Sequence, residues 1–133
     1  MQVANRIFAV VTIPMCLAFA ASGQKVSAAE LGSLKPGLYV STKVGCSGLG
    51  GAGTMDFDGA NFSGHYQLCR TQPIQGSDRY RSNCIEAQGP KKPLLSDIDK
   101  DPDKVTEDIS IRILSTTSFM KNAETYQLCG ARW

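Results

Sequence analysis

The sequence has little of the chemistry that marks most metalloproteins and many enzymes. It holds one histidine and one tryptophan, and its 12 acidic residues nearly balance its 14 basic ones. A single imidazole and scattered cysteines argue against a ligand-rich metal site, and no cofactor is predicted. The lack of a basic surplus argues against nucleic-acid binding. No apolar run reaches the roughly 20 residues of a membrane-spanning helix, so no stable membrane span is predicted.

The N-terminal region is typical of an export signal. A basic start precedes an apolar run over residues 7–21, and small residues follow it. That run has the length of a signal-peptide core. Cleavage before Glu30 is favoured, with Gln24 as the alternative, so residues 1–29 are predicted to be a signal peptide. Residues 30–133 then form a single small β-domain of 104 residues, with 12 acidic and 12 basic side chains, in the periplasm or secreted.

Loss of the signal peptide removes Cys16 and leaves an even number of cysteines, namely Cys46, Cys69, Cys84 and Cys129. No two of them are closer than 15 positions, which does not fit the close pairs of a zinc site and favours two disulfide bonds. A hairpin centred near residues 76–77 places Cys69 opposite Cys84. Cys46 then pairs with Cys129. Because Cys69 falls on the opposite face from Leu68, the other two pairings stay open.

No segment after residue 30 has the 3.6-residue period of an amphipathic helix, and alternating apolar residues predict strands instead. The predicted strands are 38–44, 54–57, 62–68, 80–87, 105–113, 118–120 and 125–129. Asp58–Gly59 is a hairpin turn signal between the second and third of them. Within 62–68 the alternation places Tyr66 and Leu68 on the face of Phe62. Six to eight short strands predict an all-β fold, an antiparallel β-barrel or sandwich braced by two disulfides.

Two features suggest catalytic or phosphate chemistry and have simpler interpretations. The glycine-rich segment 45–53 precedes a strand rather than a helix, so it is interpreted as a flexible loop and not as a phosphate-binding loop. His65 lies on the outward phase of its predicted strand, and the cysteines are expected to be oxidised. No nucleophile with its base is therefore visible, and no enzyme activity is predicted.

An acidic loop suggests a calcium site. Its aspartates have the spacing of calcium-loop ligands, and they are Asp97, Asp99, Asp101, Asp103 and Asp108. Pro102 stands where such a loop requires a glycine for its sharp turn. The flanking segments also read as loop and strand, not as two helices. We therefore predict a solvated acidic loop and no metal site.

A polar turn, Ser77-Asp78-Arg79-Tyr80, leads into the 80–87 strand. It resembles the Ser-Gly-x-Arg-Tyr motif of the bacterial periplasmic and membrane-bound inhibitors of c-type lysozyme, without the glycine and without the family's Trp-x-Lys-Gly stretch. Those inhibitors are small exported antiparallel β-barrels held by disulfide bonds. In them the motif serine and a downstream loop lysine occupy the catalytic carboxylates of the lysozyme cleft. The resemblance implies a partner-binding site made of Ser77, Asp78, Arg79 and Tyr80, with Lys91 or Lys92 as the lysine.

The function predicted from the sequence is therefore binding. The favoured hypothesis is an exported periplasmic protein that inhibits c-type lysozyme by inserting a polar loop into the enzyme cleft. The alternative is a periplasmic β-module that binds a cell-envelope component or a small ligand. A pocket lined by apolar residues favours the alternative, whereas a buried carboxylate or His65 that faces a cleft with a perturbed pKa indicates an enzyme.

Overall fold

The computed structural model describes residues 28–132, so the predicted signal peptide lies almost wholly outside the described residues. Within these residues helix is limited to α1 (Ala28–Leu31) and to two 3-10 segments, Cys46–Gly48 and Leu95–Lys100. The strands are β1 (Gly37–Ser41), β2 (Met55–Phe57), β3 (Phe62–Gly64), β4 (Gln67–Pro73), β5 (Arg79–Glu86), β6 (Val105–Ser115), β7 (Ser118–Lys121) and β8 (Glu124–Gly130). The prediction of an all-β fold is confirmed. No helix within these residues is long and apolar enough to cross a membrane.

The eight strands form one antiparallel sheet in the order β3-β2-β1-β8-β7-β6-β5-β4. The sheet curls until its outer strands β3 and β4 pack together, which makes a nearly closed barrel and not a sandwich. Strand ends alternate in an antiparallel sheet, so the connections fall into two groups. We call the end with α1 and the turns after β2, β4 and β6 the closed end. The end with the loops after β1, β3, β5 and β7 is the open end.

Side chains complete the seam where β3 meets β4. The strands β3 and β4 are in contact but are not neighbours in the hydrogen-bonded order of the sheet. Instead the Phe62 N–H donates to Thr71 Oγ1 at 3.0 Å, and the Thr71 N–H donates to Asn61 Oδ1 at 2.9 Å. The Cys69 N–H donates to Ser63 Oγ at 3.0 Å. These bonds satisfy donors that an open sheet edge would leave unpaired.

Apolar residues ahead of β1 plug the closed end. Leu31 and Leu34 are both buried within the core cluster. The Lys35 N–H donates to the Thr116 carbonyl, in the turn after β6, at 2.8 Å. The Tyr39 hydroxyl donates to the Lys35 carbonyl at 2.6 Å, and burial raises the pKa of Tyr39 to about 12. The segment before the first strand is therefore part of the barrel core.

Phe119 lies at the centre of the aromatic core. Its ring centroid is 4.7 Å from that of Phe62 and 5.2 Å from those of Tyr39 and Tyr126. Phe119 has no exposed surface. Contacts of this spacing add to the area that each ring buries. One residue of β7 thus joins β1, β3 and β8 across the barrel.

The structure corrects the predicted faces of strand 62–68. A turn at residues 65–66 divides that run into β3 and β4, and the alternation of faces starts again after the turn. Cys69 and Thr71 therefore point inward, while Tyr66 is 46% exposed and Leu68 is only half-buried. The prediction that Tyr66 and Leu68 share the core face is wrong, because a period of two holds only within an unbroken strand.

The favoured disulfide pairing is confirmed. Cys69 and Cys84 are directly opposed in the β4–β5 register, and they form one bond. Cys46 and Cys129 form the other, with a sequence separation of 83. The prediction that Leu68 points inward had argued against a bond at Cys69. The turn at 65–66 reverses the two faces, so Cys69 points inward instead.

Candidate functional site

The predicted partner-binding turn lies at the closed end, between β4 and β5. The Ile74 N–H donates to the Arg79 carbonyl at 2.9 Å, and the Ser77 N–H donates to the Ile74 carbonyl at 3.1 Å. The Ser77 Oγ accepts the Arg79 N–H at 3.1 Å. Gly76, with φ of 76°, supplies the left-handed residue that this turn needs. Asp78 and Arg79 are exposed at its tip, and Ser77 is partly exposed.

Tyr80 does not belong to this exposed surface. Its side chain is 1% exposed and lies in the core cluster with Ile109 and Phe119. Burial, together with the charge of Glu30, raises the pKa of Tyr80. The structure therefore assigns Tyr80 a packing position, and the surface available to a partner is Ser77, Asp78 and Arg79.

Lys91 and Lys92 lie in the loop after β5, and Lys92 lines a groove over the seam between β3 and β4. The last residue of β5, Glu86, pairs with Gln67 at the start of β4, whereas the turn follows Pro73. The seven residues of β4 span about 20 Å at roughly 3.3 Å per residue. Both lysines are exposed. The two parts of the predicted site therefore leave opposite ends of the β4–β5 hairpin.

The cation nearest to Ser77 along the turn is Arg79. Its Nη2 donates to the Asp108 carbonyl at 2.6 Å. Arg81, two residues on, pairs with the Asp108 carboxylate at 2.9 Å. The hydrogen bond from Arg81 lowers the pKa of Asp108, and the same bond raises the pKa of Arg81. The charge of Arg81 is therefore offset by Asp108. The guanidinium of Arg79 beside the turn forms no ion pair among residues 28–132.

The acidic loop is fastened to the barrel by its own aspartates. Asp97 accepts the Leu94 N–H at 2.8 Å, and Asp101 accepts the Asp103 N–H at 2.8 Å. Both Asp99 oxygens lie 2.8 Å from Arg70 Nη1 on β4. Asp108 is on β6 and pairs with Arg81. No group of three or more metal-binding side chains occurs in the part of the chain that the structure describes.

The ion pair between Arg70 and Asp99 makes part of the stability of the fold depend on pH. The hydrogen bond from Arg70 lowers the pKa of Asp99 below its ordinary value. A carboxylate with a lowered folded-state pKa contributes stability above its unfolded pKa and loses it as pH falls through the folded pKa. Arg70 Nη2 also donates to the Leu95 carbonyl, and this bond does not depend on pH. We expect Arg70→Gln to lower the urea midpoint of unfolding at about pH 7 and to lower it less at about pH 2, where only the bond to Leu95 is lost.

Arg112→Gln is the matched control for Arg70→Gln. Arg112 is exposed and has no ion pair among residues 28–132. We expect it to leave the urea midpoint unchanged at both pH values. An Arg70→Gln effect of equal size at the two pH values would show that Arg70 acts by packing and not through the charge of Asp99.

The open end holds a cavity of about 500 Å³ that the sequence did not predict. Its apolar part is formed by Tyr66, Cys84, Ile85 and Val105, and its polar part by Gln67, Glu86, Gln88, Asp101 and Asp103. Val105 is 57% exposed although it lies on the inward phase of β6. The strands β5 and β6 therefore extend past the packed core, and their inward faces line an open mouth. Barrel mouths are common ligand sites.

A second, smaller cavity of about 180 Å³ lies against the first, and both are lined by Ala52 and Cys84. It reaches inward to Phe62 and Ile109, and Glu107 and Lys121 stand 3.4 Å apart on its wall. Ala52 belongs to the glycine-rich loop. The Gly50 N–H donates to Thr54 Oγ1 at 2.9 Å. The loop that the sequence predicted to be flexible is thus braced by an internal hydrogen bond, and Ala52 within it lines the mouth.

His65 lies at the open end in the turn between β3 and β4. It is half-buried, and its ring centroid is 4.3 Å from that of Tyr66 in an edge-on contact. It lines a groove of about 170 Å³ over the β3–β4 seam, together with Asp58 and Lys92. His65 was predicted to point outward from its strand, and in the structure it forms part of the wall of this groove.

Comparison of the chain with protein-family models, with curated proteins and with solved structures found no match. The candidate sites of the chain lie at the two ends of the barrel. The closed end presents a narrow polar turn, and the open end presents an acidic cavity.

Proposed function

We propose that this protein is exported and acts outside the cytoplasm as a binding protein, with c-type lysozyme as its partner. Two disulfide bonds support an oxidising compartment, because such bonds are rare in reducing cytosol. The resemblance at residues 77–80 supports the choice of partner. The predicted N-terminal signal peptide supports the periplasm as the location.

The exposed turn after β4 is the element that we propose enters the enzyme cleft. The observation that carries this proposal is its rigidity: Ser77 fastens the turn from within, and Cys69–Cys84 joins its two strands. A loop held in its bound shape loses little conformational entropy on association. Its tip offers the Ser77 hydroxyl and the Arg79 guanidinium.

Arg79 takes the role that the resemblance gives to a lysine. A cation that meets carboxylates in a cleft forms charge-assisted hydrogen bonds, and guanidinium can do so with two N–H groups. Lys91 and Lys92 belong to the loop after β5, which leaves the other end of the β4–β5 hairpin. The proposed contact with the enzyme cleft is therefore limited to the turn.

A turbidity assay of c-type lysozyme on bacterial cell walls tests the proposal. We expect micromolar protein to protect the cell walls, and Arg79→Ala to raise the half-inhibitory concentration about tenfold or more, since hydrogen bonds to charged groups contribute about 1.5–3 kcal/mol. Ser77→Ala is expected to act in the same direction. The double variant Lys91→Ala/Lys92→Ala, which removes two exposed cations elsewhere, is expected to inhibit as well as the unchanged protein.

Two results would count against this assignment. No protection at micromolar concentration would remove lysozyme as the partner. Loss of inhibition in Lys91→Ala/Lys92→Ala with full inhibition in Arg79→Ala would place the contact at the open end instead. A second candidate function, binding of a cell-envelope component or a small ligand, is favoured by the cavity at the open end.

A further inference from the structure

The cavity at the open end combines apolar surface with three carboxylates that form no ion pair among residues 28–132. The side chains around it include Glu86, Asp101 and Asp103 but no lysine or arginine. Five other carboxylates each pair with a basic side chain, and they are Asp56, Asp99, Glu107, Asp108 and Glu124. None of these ion pairs among residues 28–132 involves the three carboxylates of the cavity. Lys100 and Lys104 flank Asp101 and Asp103 in the sequence but are not among the residues that line the cavity, so the lining itself carries negative charge.

Apolar surface stands beside these carboxylates. Tyr66 is 46% exposed and Val105 is 57% exposed, although large apolar side chains are more stable when covered. The Cys69–Cys84 bond and the end of β5 form the adjoining wall. A Tyr ring can also receive a cation on its face. The cavity therefore presents one surface for an apolar body and another for a positive charge.

We infer that the open end binds an organic cation with an apolar body, an amine or guanidinium carried on an aliphatic or aromatic group. The cavity has a volume of about 500 Å³, which lies in the range of small-ligand sites. A bare divalent ion fits less well, because such ions need six or more oxygens at short range. The same chemistry is offered by a free amine and by a lysine or arginine side chain of a partner.

The inference is independent of the proposed action on lysozyme, since the cavity and the Ser77 turn are at opposite ends. Glu86→Gln/Asp103→Asn is expected to leave lysozyme inhibition unchanged. Failure of one proposal is therefore distinguishable from failure of the other.

Calorimetry with three probes tests the inference. Phenylbutylamine is the cationic probe, phenylbutanol is its uncharged counterpart, and a short peptide with an internal arginine represents a partner's side chain. We expect the amine to bind at least tenfold more tightly than the alcohol. Added salt is expected to weaken the binding of the amine but not that of the alcohol. Binding of the amine identifies a free ligand as a sufficient source, and binding of the peptide alone identifies a partner's side chain. Either result supports the inference.

Matched variants test whether the carboxylates of the cavity cause the preference for a cation. We expect Glu86→Gln/Asp103→Asn to lower the affinity for the cationic probe about tenfold. Glu30→Gln, which removes an exposed carboxylate at the closed end, is expected to change nothing. Equal affinity for amine and alcohol would overturn the inference, as would an unchanged affinity in the double variant. Binding of calcium with no binding of amine or peptide would overturn it as well.

Discussion

Replacing Cys46 and Cys129 together by alanine is expected to lower the free energy of unfolding by about 4.5 kcal/mol, because this disulfide closes a loop with a sequence separation of 83. The bond restricts the unfolded chain far more than the folded one. It joins the loop after β1 to β8, strands that are already neighbours in the sheet. Cys46 is exposed, so its truncation removes little packing.

Urea unfolding of the double variant measures this loss. Selective reduction supplies an independent route to the same state, because Cys46 is exposed whereas Cys69 and Cys84 are buried. A thiol reductant under native conditions is expected to open Cys46–Cys129 first and to give the stability of the alanine variant. A loss of about 1 kcal/mol or less would contradict the loop-entropy explanation.

Truncation of Phe119 to alanine is expected to cost about 3–5 kcal/mol, the range for a fully buried aromatic residue. Its ring contacts Tyr39, Phe62 and Tyr126, which come from three other strands. Alanine leaves a cavity among large rings that cannot collapse without moving the sheet. Domains of this size have about 5–15 kcal/mol of stability in total, so the variant loses a large share of it.

Leu114→Ala on β6 is the control for Phe119→Ala. Leu114 is 46% exposed, and its truncation is expected to cost less than about 0.5 kcal/mol. Thermal unfolding followed by circular dichroism compares the two variants with the unchanged protein. A Phe119→Ala loss no greater than that of Leu114→Ala would show that the aromatic cluster does not hold the barrel together.

The two ends of this barrel have different physical characters. The closed end is plugged by Leu31 and Leu34 and carries a narrow turn with a guanidinium at its tip. The open end leaves inward-facing residues of β5 and β6 uncovered, beside carboxylates that form no ion pair among residues 28–132. One small domain thus offers a rigid loop for insertion and a cavity for a cationic group, on surfaces that do not overlap.

Local patterns in the sequence predicted most of the strands, and they favoured one disulfide pairing without excluding the others. Alternation depends only on neighbouring residues, so it predicted the strand around Ile109 and Ile111 correctly. The Cys69–Cys84 register follows from where a single hairpin turns, and 15 residues separate the pair. The Cys46–Cys129 bond then followed by elimination.

Tertiary structure decided the faces after the turn at 65–66, the burial of Tyr80, the distance between Ser77 and Lys91, and the cavity. Alternation says which residues of one strand share a face, but not which face meets the core or which strand ends come together. Those properties arise when the eight strands close into a barrel, because closure sets the end at which each connection lies. The sequence by itself determined the all-β class and most of the strands and favoured the cysteine pairing, and only the closed barrel decided where a partner or ligand finds an open surface.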